Sequence, residues 1–330
     1  MTGHAAAVGT PLRVRAVDGP WEEAYGQLTR TGTVVVHGWL DDWLPGSMPP
    51  ERLRGLLGRD WHRYQSFAQP RLRERFAASR LLLRRAAAMA IETEAELVDL
   101  AYLQGGRPYV RGCDQIDVSL SHTEELIVVG ITRSGRLGVD VERADRRLSG
   151  TGSESQALTP YERAQLDAGG DAARNDGMVR LWTLKEAYSK ALGTGLRFRF
   201  TEFGFRLEDG GGARLVRPDG TPVTSTGVWS FRTFGVGGRY VVSVAVHDTG
   251  FGAVRDLSVG TTLDKGFLDV LLGGPGSGYP AGLFGDPYGV DAVAGPELAD
   301  DGRQVVADGA LGEEQAPGDL GGVRAPGGQA

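Results

Sequence analysis

What this sequence has little of narrows its class before any motif is considered. One of the 330 residues is cysteine, Cys113, so an intramolecular disulfide framework is excluded. Long hydrophobic runs are missing. The longest apolar stretches, such as Ala86 to Ile91, fall far short of the roughly 18 residues that span a bilayer. The start of the chain, Met1 to Gly9, has no basic segment leading into an apolar one, so no secretory leader is expected. These absences point to a soluble, cytoplasmic protein with no membrane partner. Lysine is also scarce: Lys185, Lys190 and Lys265 are 3 of the 36 basic residues. Arginine's planar head suits bidentate clamping, whereas a lysine is a compact point charge that can follow a phosphoryl group through its reaction. Two lysines kept within one short segment suggest a task arginine cannot fill, or a stem laid over apolar surface.

The chain is long enough for one large or two small packed domains. Its charge and glycine are unevenly spread. Residues 251–330 hold 19 of the 51 glycines and 12 acidic against 4 basic residues, a net −8, which leaves +2 on the remaining 250. Such a composition cannot bury enough apolar area to offset chain entropy, so 249–330 reads as a disordered tail. Within it, Leu268–Leu272 is the one place where a short helix could dock.

In the body, Thr33–Val36 reads as a strand and Pro45–Pro50 as a loop. Arg71 to Ile91 contains no Gly or Pro, and Leu72, Phe76, Leu83 and Ala87 recur at helical spacing, which predicts a helix with a basic outer face. Ile116–Leu120, Leu126–Ile131 and Leu137–Val141 read as a three-stranded antiparallel sheet, the last two joined at Ser134-Gly135. Met178 to Leu192 returns to helical spacing and stops at Gly193. Val228–Phe231 and Tyr240–Val246 form a final hairpin across Gly235–Gly238. The order helix, sheet, helix, sheet suggests two similar α+β halves, 1–130 and 131–248, divided near Gly130–Gly138.

Several residues in this frame carry chemistry. Asp140 and Glu142 are two apart on a strand, so their carboxylates share a face and repel unless a cation lies between them. Glu186 and Lys190 are four apart and share one flank of a helix. With Glu186, the two strand carboxylates would supply oxygen ligands for Mg²⁺; a surface ion pair and a solvated strand face are the plain alternatives. Ser121 and His122 follow a strand end, where both would reach a phosphate only from a bend. A Ser/His hydrolase is disfavoured, because neighbours on a strand point to opposite sides and no G-x-S-x-G elbow is present. Arg71, Arg73, Arg75, Arg80, Arg84, Arg85 and Arg107 could bind phosphates. Sparse aromatic interleaving and a body charge of +2 argue against nucleic acid and favour a discrete polyphosphate ligand.

Gly138-Val139-Asp140-Val141-Glu142 and Trp182-Thr183-Leu184-Lys185-Glu186-Ala187-Tyr188-Ser189-Lys190, with Trp182 42 positions after Asp140, resemble the paired signatures of 4′-phosphopantetheinyl transferases of the surfactin-synthetase-activating (Sfp) type. Gly106-Arg107-Pro108 resembles that family's G-K-P turn, Ser119-Leu120-Ser121-His122 its S-x-S-H strand end, and Arg80 the arginine of its first long helix. The resemblance covers roughly residues 50–247. It implies a pseudo-dimer that binds coenzyme A in the cleft between its halves and transfers phosphopantetheine to a serine of an apo acyl or peptidyl carrier protein. Those carriers belong to polyketide, nonribosomal peptide or fatty-acid assembly. By the same resemblance Asp140, Glu142 and Glu186 hold Mg²⁺, and Lys190, Asp140 and Ser121 lie along the coenzyme. Arg80, Arg107, His122 and, more weakly, Arg71 face its nucleotide end. Glu186 or Glu162 takes the serine proton. A monomer is expected. A non-catalytic coenzyme A-binding protein of the same fold and a Mg²⁺-dependent nucleotide hydrolase are the competing readings.

Overall fold

The computed structural model describes residues 8–15, 21–46, 48–103, 105–193, 199–223 and 228–249. The tail beyond Thr249, with its Leu268–Leu272 segment, lies outside the described residues. In chain order the elements are β1 (Leu12–Arg13), α1 (Glu22–Thr31), β2 (Thr33–Trp39), α2 (Pro50–Leu57), α3 (Trp61–Ser66) and α4 (Pro70–Ile91). Next come β3 (Leu100–Tyr102), β4 (Pro108–Val110), β5 (Asp117–Thr123), β6 (Leu126–Thr132) and β7 (Gly135–Arg143). Then follow α5 (Gly152–Ala157), α6 (Pro160–Ala168), α7 (Asp171–Leu192), β8 (Gly204–Leu207), β9 (Gly212–Val216), β10 (Val228–Val236) and β11 (Tyr240–Asp248). The architecture is α+β. No helix among the described residues is long and apolar enough to cross a membrane.

Two sheets organise the chain. The first has the order β1-β2-β6-β5 and carries the long helix α4; the second has the order β7-β11-β10-β9-β8 and carries α7. The expected three-stranded sheet of β5, β6 and β7 therefore does not form. Strands β5 and β6 pair as a hairpin, but β7 pairs along its whole length with β11, from Tyr240↔Arg143 to Asp248↔Gly135. A nine-residue partner offers β7 a full ladder, and the chain swings into it at Gly135, whose φ of 150° strains any other residue. The apolar face of β7, Leu137, Val139 and Val141, joins Val35, Leu126 and Val128 of the first sheet in a core shared by both.

Helix α4 starts with Pro70 in its first turn, where a missing N–H costs nothing, and its run of Ala and Leu from Phe76 to Ala90 is almost wholly buried. The basic outer face is confined to its start. Arg80 and Arg84 lie inside, 6% and 2% exposed. Arg84 is tolerated there because its guanidinium donates to the carbonyls of Val98 and Leu57. Arg80 pairs with Asp60 at 3.7 Å and lies over the rings of Phe76 and Tyr102. Helix α7 begins seven residues before the expected Met178 and ends at Gly193, whose φ of 72° is the left-handed cap.

Candidate active site

The site grows from a close approach between α7 and β7. A Cβ on Gly138 would stand 1.8 Å from the Ala187 carbonyl oxygen and 2.6 Å from the Ala191 nitrogen, so only glycine lets the helix lie on the strand there. Alternation then aims Asp140 and Glu142, on the same face as Gly138, along the flank of α7. On the helix, Asn175, Trp182, Glu186 and Lys190 are spaced seven, four and four apart and form one stripe.

A second set of side chains comes from β5, whose free edge runs beside the free edge of β7. Asp117 accepts from the Leu137 N–H at 2.7 Å and Ser119 from the Val139 N–H at 3.0 Å. Ser121 donates to Asp140 at 2.9 Å, and Thr123 to Glu142 at 3.4 Å. Every second residue of β5 thus stitches the sheet edges together: Asp117 and Ser119 give the backbone N–H groups of Leu137 and Val139 their acceptors, and Ser121 and Thr123 hold the carboxylates of β7.

At the centre Lys190 Nζ lies 2.7 Å from Asp140 Oδ1 and 3.0 Å from Ser121 Oγ, and the three groups close a triangle. Glu142 accepts from the Arg143 N–H at 2.8 Å and from the guanidinium of Arg146. Glu186 stands beside them with its carboxyl pushed up to about 7. Burial is the larger cause and the charge of Asp140 the next; Lys190 and Arg146 pull the other way.

Of the residues expected at the site, Ser121, Asp140, Glu142, Glu186 and Lys190 are brought together. The others are not. Strand β5 runs straight through Thr123, without the bend expected at Ser121-His122, so the half-buried His122 points away from Ser121. Arg71 is exposed in the first turn of α4. Arg80 is enclosed with Asp60. Arg107 donates to the carbonyls of Lys190 and Leu137 and to the Asp117 carboxylate, so it staples the end of α7 to β5 and β7. Glu162 is fully buried. It closes the capping box of α6 with Thr159, accepts from the Phe205 N–H at 2.8 Å, and pairs with Lys185 at 2.8 Å. Sequence reasoning missed Arg146 and the alternating set Asp117, Ser119, Thr123; the i, i+4 spacing of Glu142 and Arg146 was the available signal.

Among the described residues no three or more His, Cys, Asp or Glu side chains stand as a ready-made metal cage. The donor set nevertheless suits a hard divalent cation. Asp140, Glu142 and Glu186 offer only oxygen, the charge of Asp140 already raises Glu186, and Mg²⁺ commonly takes few carboxylates with waters and phosphates filling its shell.

Residues 136–245 match the model of the 4′-phosphopantetheinyl transferase superfamily. A phosphopantetheinyl transferase of Thraustochytrium sp. is 30% identical over 219 residues, spanning 62% of this chain and 75% of that protein. The 4′-phosphopantetheinyl transferase of Bacillus subtilis is 28% identical over 141 residues, 42% of this chain and 61% of the relative. That of Paxillus involutus is 31% identical over 191 residues, 51% of this chain and 68% of the relative. The matched segment contains β7 and α7, and with them Asp140, Glu142, Glu186 and Lys190; the chain belongs to the 4′-phosphopantetheinyl transferase superfamily and is an enzyme of that class.

Proposed function

We propose that the enzyme moves the 4′-phosphopantetheine group of coenzyme A onto a serine of an apo acyl or peptidyl carrier protein and releases 3′,5′-ADP, as the Sfp type does. The observation that carries this reading is the triangle of Lys190, Ser121 and Asp140 with the buried Glu186 beside it. The coenzyme would lie where the α+β halves, 1–130 and 131–248, meet. Lys190 and Ser121 supply donors for its diphosphate, and the compact ammonium can follow charge from the transferred phosphorus to the leaving oxygen. When bound, a magnesium ion would be held by Asp140, Glu142 and Glu186 and would neutralise the diphosphate.

The carrier serine forms the new O–P bond while the bond from that phosphorus to the ADP oxygen breaks. Glu186 takes the serine proton, directly or through water; before a metal is bound, burial raises its affinity for one. Glu162, the other candidate base, has its oxygens spent on Thr159, Phe205 and Lys185. Arg71 is the exposed arginine left for the nucleotide end; Arg80 and Arg107 serve the scaffold.

Incubation with coenzyme A, Mg²⁺ and a panel of apo carrier domains, followed by weighing the carriers, tests the proposal. The parent should add one phosphopantetheine. Glu186→Gln and Lys190→Ala should slow the addition at least ~100-fold with unchanged circular dichroism. Cleavage of coenzyme A without an acceptor would identify a hydrolase, and a folded variant with near-normal transfer would sink the mechanism.

A further inference from the structure

One charged side chain at the site has no task in the mechanism above. Arg146 follows β7 and donates to Glu142 Oε2, while its guanidinium lies 5.6 Å over the ring of Trp182. The loop bearing it is tied to α7. Asn175 donates from its Nδ2 to the Arg146 carbonyl at 3.0 Å, and its Oδ1 accepts from the N–H groups of Leu148 and Ser149 at 3.0 and 3.2 Å. Asn175 and Trp182 belong to the same helical stripe as Glu186 and Lys190, so Arg146 is held on the flank that builds the site.

Resting on the reading of Asp140, Glu142 and Glu186 as the metal's holders, we propose that Arg146 is a built-in counter-cation. It occupies Glu142 in the ligand-free enzyme, gives that carboxylate up to the divalent metal, and then pairs with the anionic diphosphate of the coenzyme. Three features favour this over a static surface ion pair. The partner Glu142 is buried, whereas Arg146 is 31% exposed at its side chain and so free to turn about its tethered backbone. The guanidinium already lies over the indole face, a contact it can keep on leaving Glu142, so full release to water is not required. The pairing has an inner counterpart, because Lys190 holds Asp140 in the same way from the opposite end. Each strand carboxylate thus has its own internal cation, and the two cations differ as a planar fork differs from a point charge. The fork suits a diphosphate, which it can grip by two parallel N–H bonds.

Manganese binding tests the exchange without reference to turnover. The free Mn²⁺ signal in electron paramagnetic resonance is titrated against the full chain and against Arg146→Gln, in the absence of coenzyme. The variant should bind Mn²⁺ about 3- to 10-fold more tightly, because the competitor for Glu142 is gone. Its affinity for coenzyme A at saturating Mn²⁺, measured by calorimetry, should fall about tenfold. Arg147→Gln removes the same charge from the exposed neighbouring position and should leave both values at those of the parent, which separates local exchange from a change in net charge. Equal or weaker Mn²⁺ binding by Arg146→Gln, with a parent that binds the ion, would overturn the role of Arg146 alone. A parent that binds no Mn²⁺ would overturn the metal reading together with it.

Discussion

Replacing Glu186 by glutamine should make the protein more stable while disabling it. The carboxyl is held at about 7 against an ordinary 4.5, because burial and Asp140 disfavour its charge by more than Lys190 and Arg146 favour it. The sign follows from proton binding. Below 4.5 both folded and unfolded chains carry the proton and the group contributes nothing. Between 4.5 and about 7 the folded chain keeps a proton the unfolded chain has lost, so stability falls as pH rises; above about 7 the whole cost is present. Its upper limit is about 3 kcal/mol. A neutral amide still has to leave water, so a gain of about 1–2 kcal/mol is the reasonable size, or roughly 3–6 °C in melting temperature at pH 8. Thermal melts of parent and Glu186→Gln at pH 8 and pH 5 measure it. The two should separate at pH 8 and converge at pH 5. A variant less stable than the parent at pH 8, or a gap as large at pH 5 as at pH 8, would show that Glu186 is not an unfavourably charged group, and its assignment as base would lose its support.

Two further substitutions probe the scaffold. Gly138→Ala places a methyl group against the α7 backbone at Ala187 and Ala191, and should cost at least about 3 kcal/mol by urea denaturation; a near-native midpoint would show that the helix can lift off the strand. Lys185→Met strands the Glu162 carboxylate in a fully buried place and should cost about 3–5 kcal/mol, part of which Lys185→Met with Glu162→Gln should restore; no recovery would mean that the lysine matters only for the carbonyls it caps.

Elements with strong local signals were legible in the sequence. The helix α4 lacks Gly and Pro and its apolar spacing is helical, and α7 stops at a left-handed glycine. The carboxylates of β7 and the Glu186–Lys190 flank of α7 follow from periods of two and about three and a half. Partner choice was not legible. Whether β7 pairs with β6 or β11 depends on a hairpin a hundred residues downstream, and Ser134-Gly135 looks like a hairpin turn in either case. The basic residues of α4 misled for a related reason. Spacing shows which way Arg80 and Arg84 point, but the groups that make their burial tolerable, Asp60 and the carbonyls of Leu57 and Val98, come from other parts of the chain. Arg107 is the third such case, since its acceptors on β5, β7 and α7 are assembled only by the fold.

The scarcity of lysine now has a structural reason. Where a cation must reach several backbone carbonyls or a carboxylate and a carbonyl at once across a gap, the chain uses the fork of arginine. Arg84 spans Leu57 and Val98, Arg107 spans Lys190, Leu137 and Asp117, and Arg180 spans Glu208 and Gly212. The two lysines among the described residues stand where acceptors converge on a point. Lys185 Nζ has the Phe200 and Phe203 carbonyls and Glu162 at 2.6, 2.8 and 2.8 Å, the full set for three N–H donors, and burial pushes it down to about 8. Lys190 Nζ meets Asp140 and Ser121. A planar guanidinium could not meet the three acceptors around Lys185 without leaving donors unpaired in a site closed to water. The side chain of Lys190 stays partly exposed, as its proposed contact with a phosphate requires. The same chemical preference makes Lys185 a keystone of the fold, while Lys190, five residues along the same helix, keeps the exposure that its proposed role toward a phosphate requires.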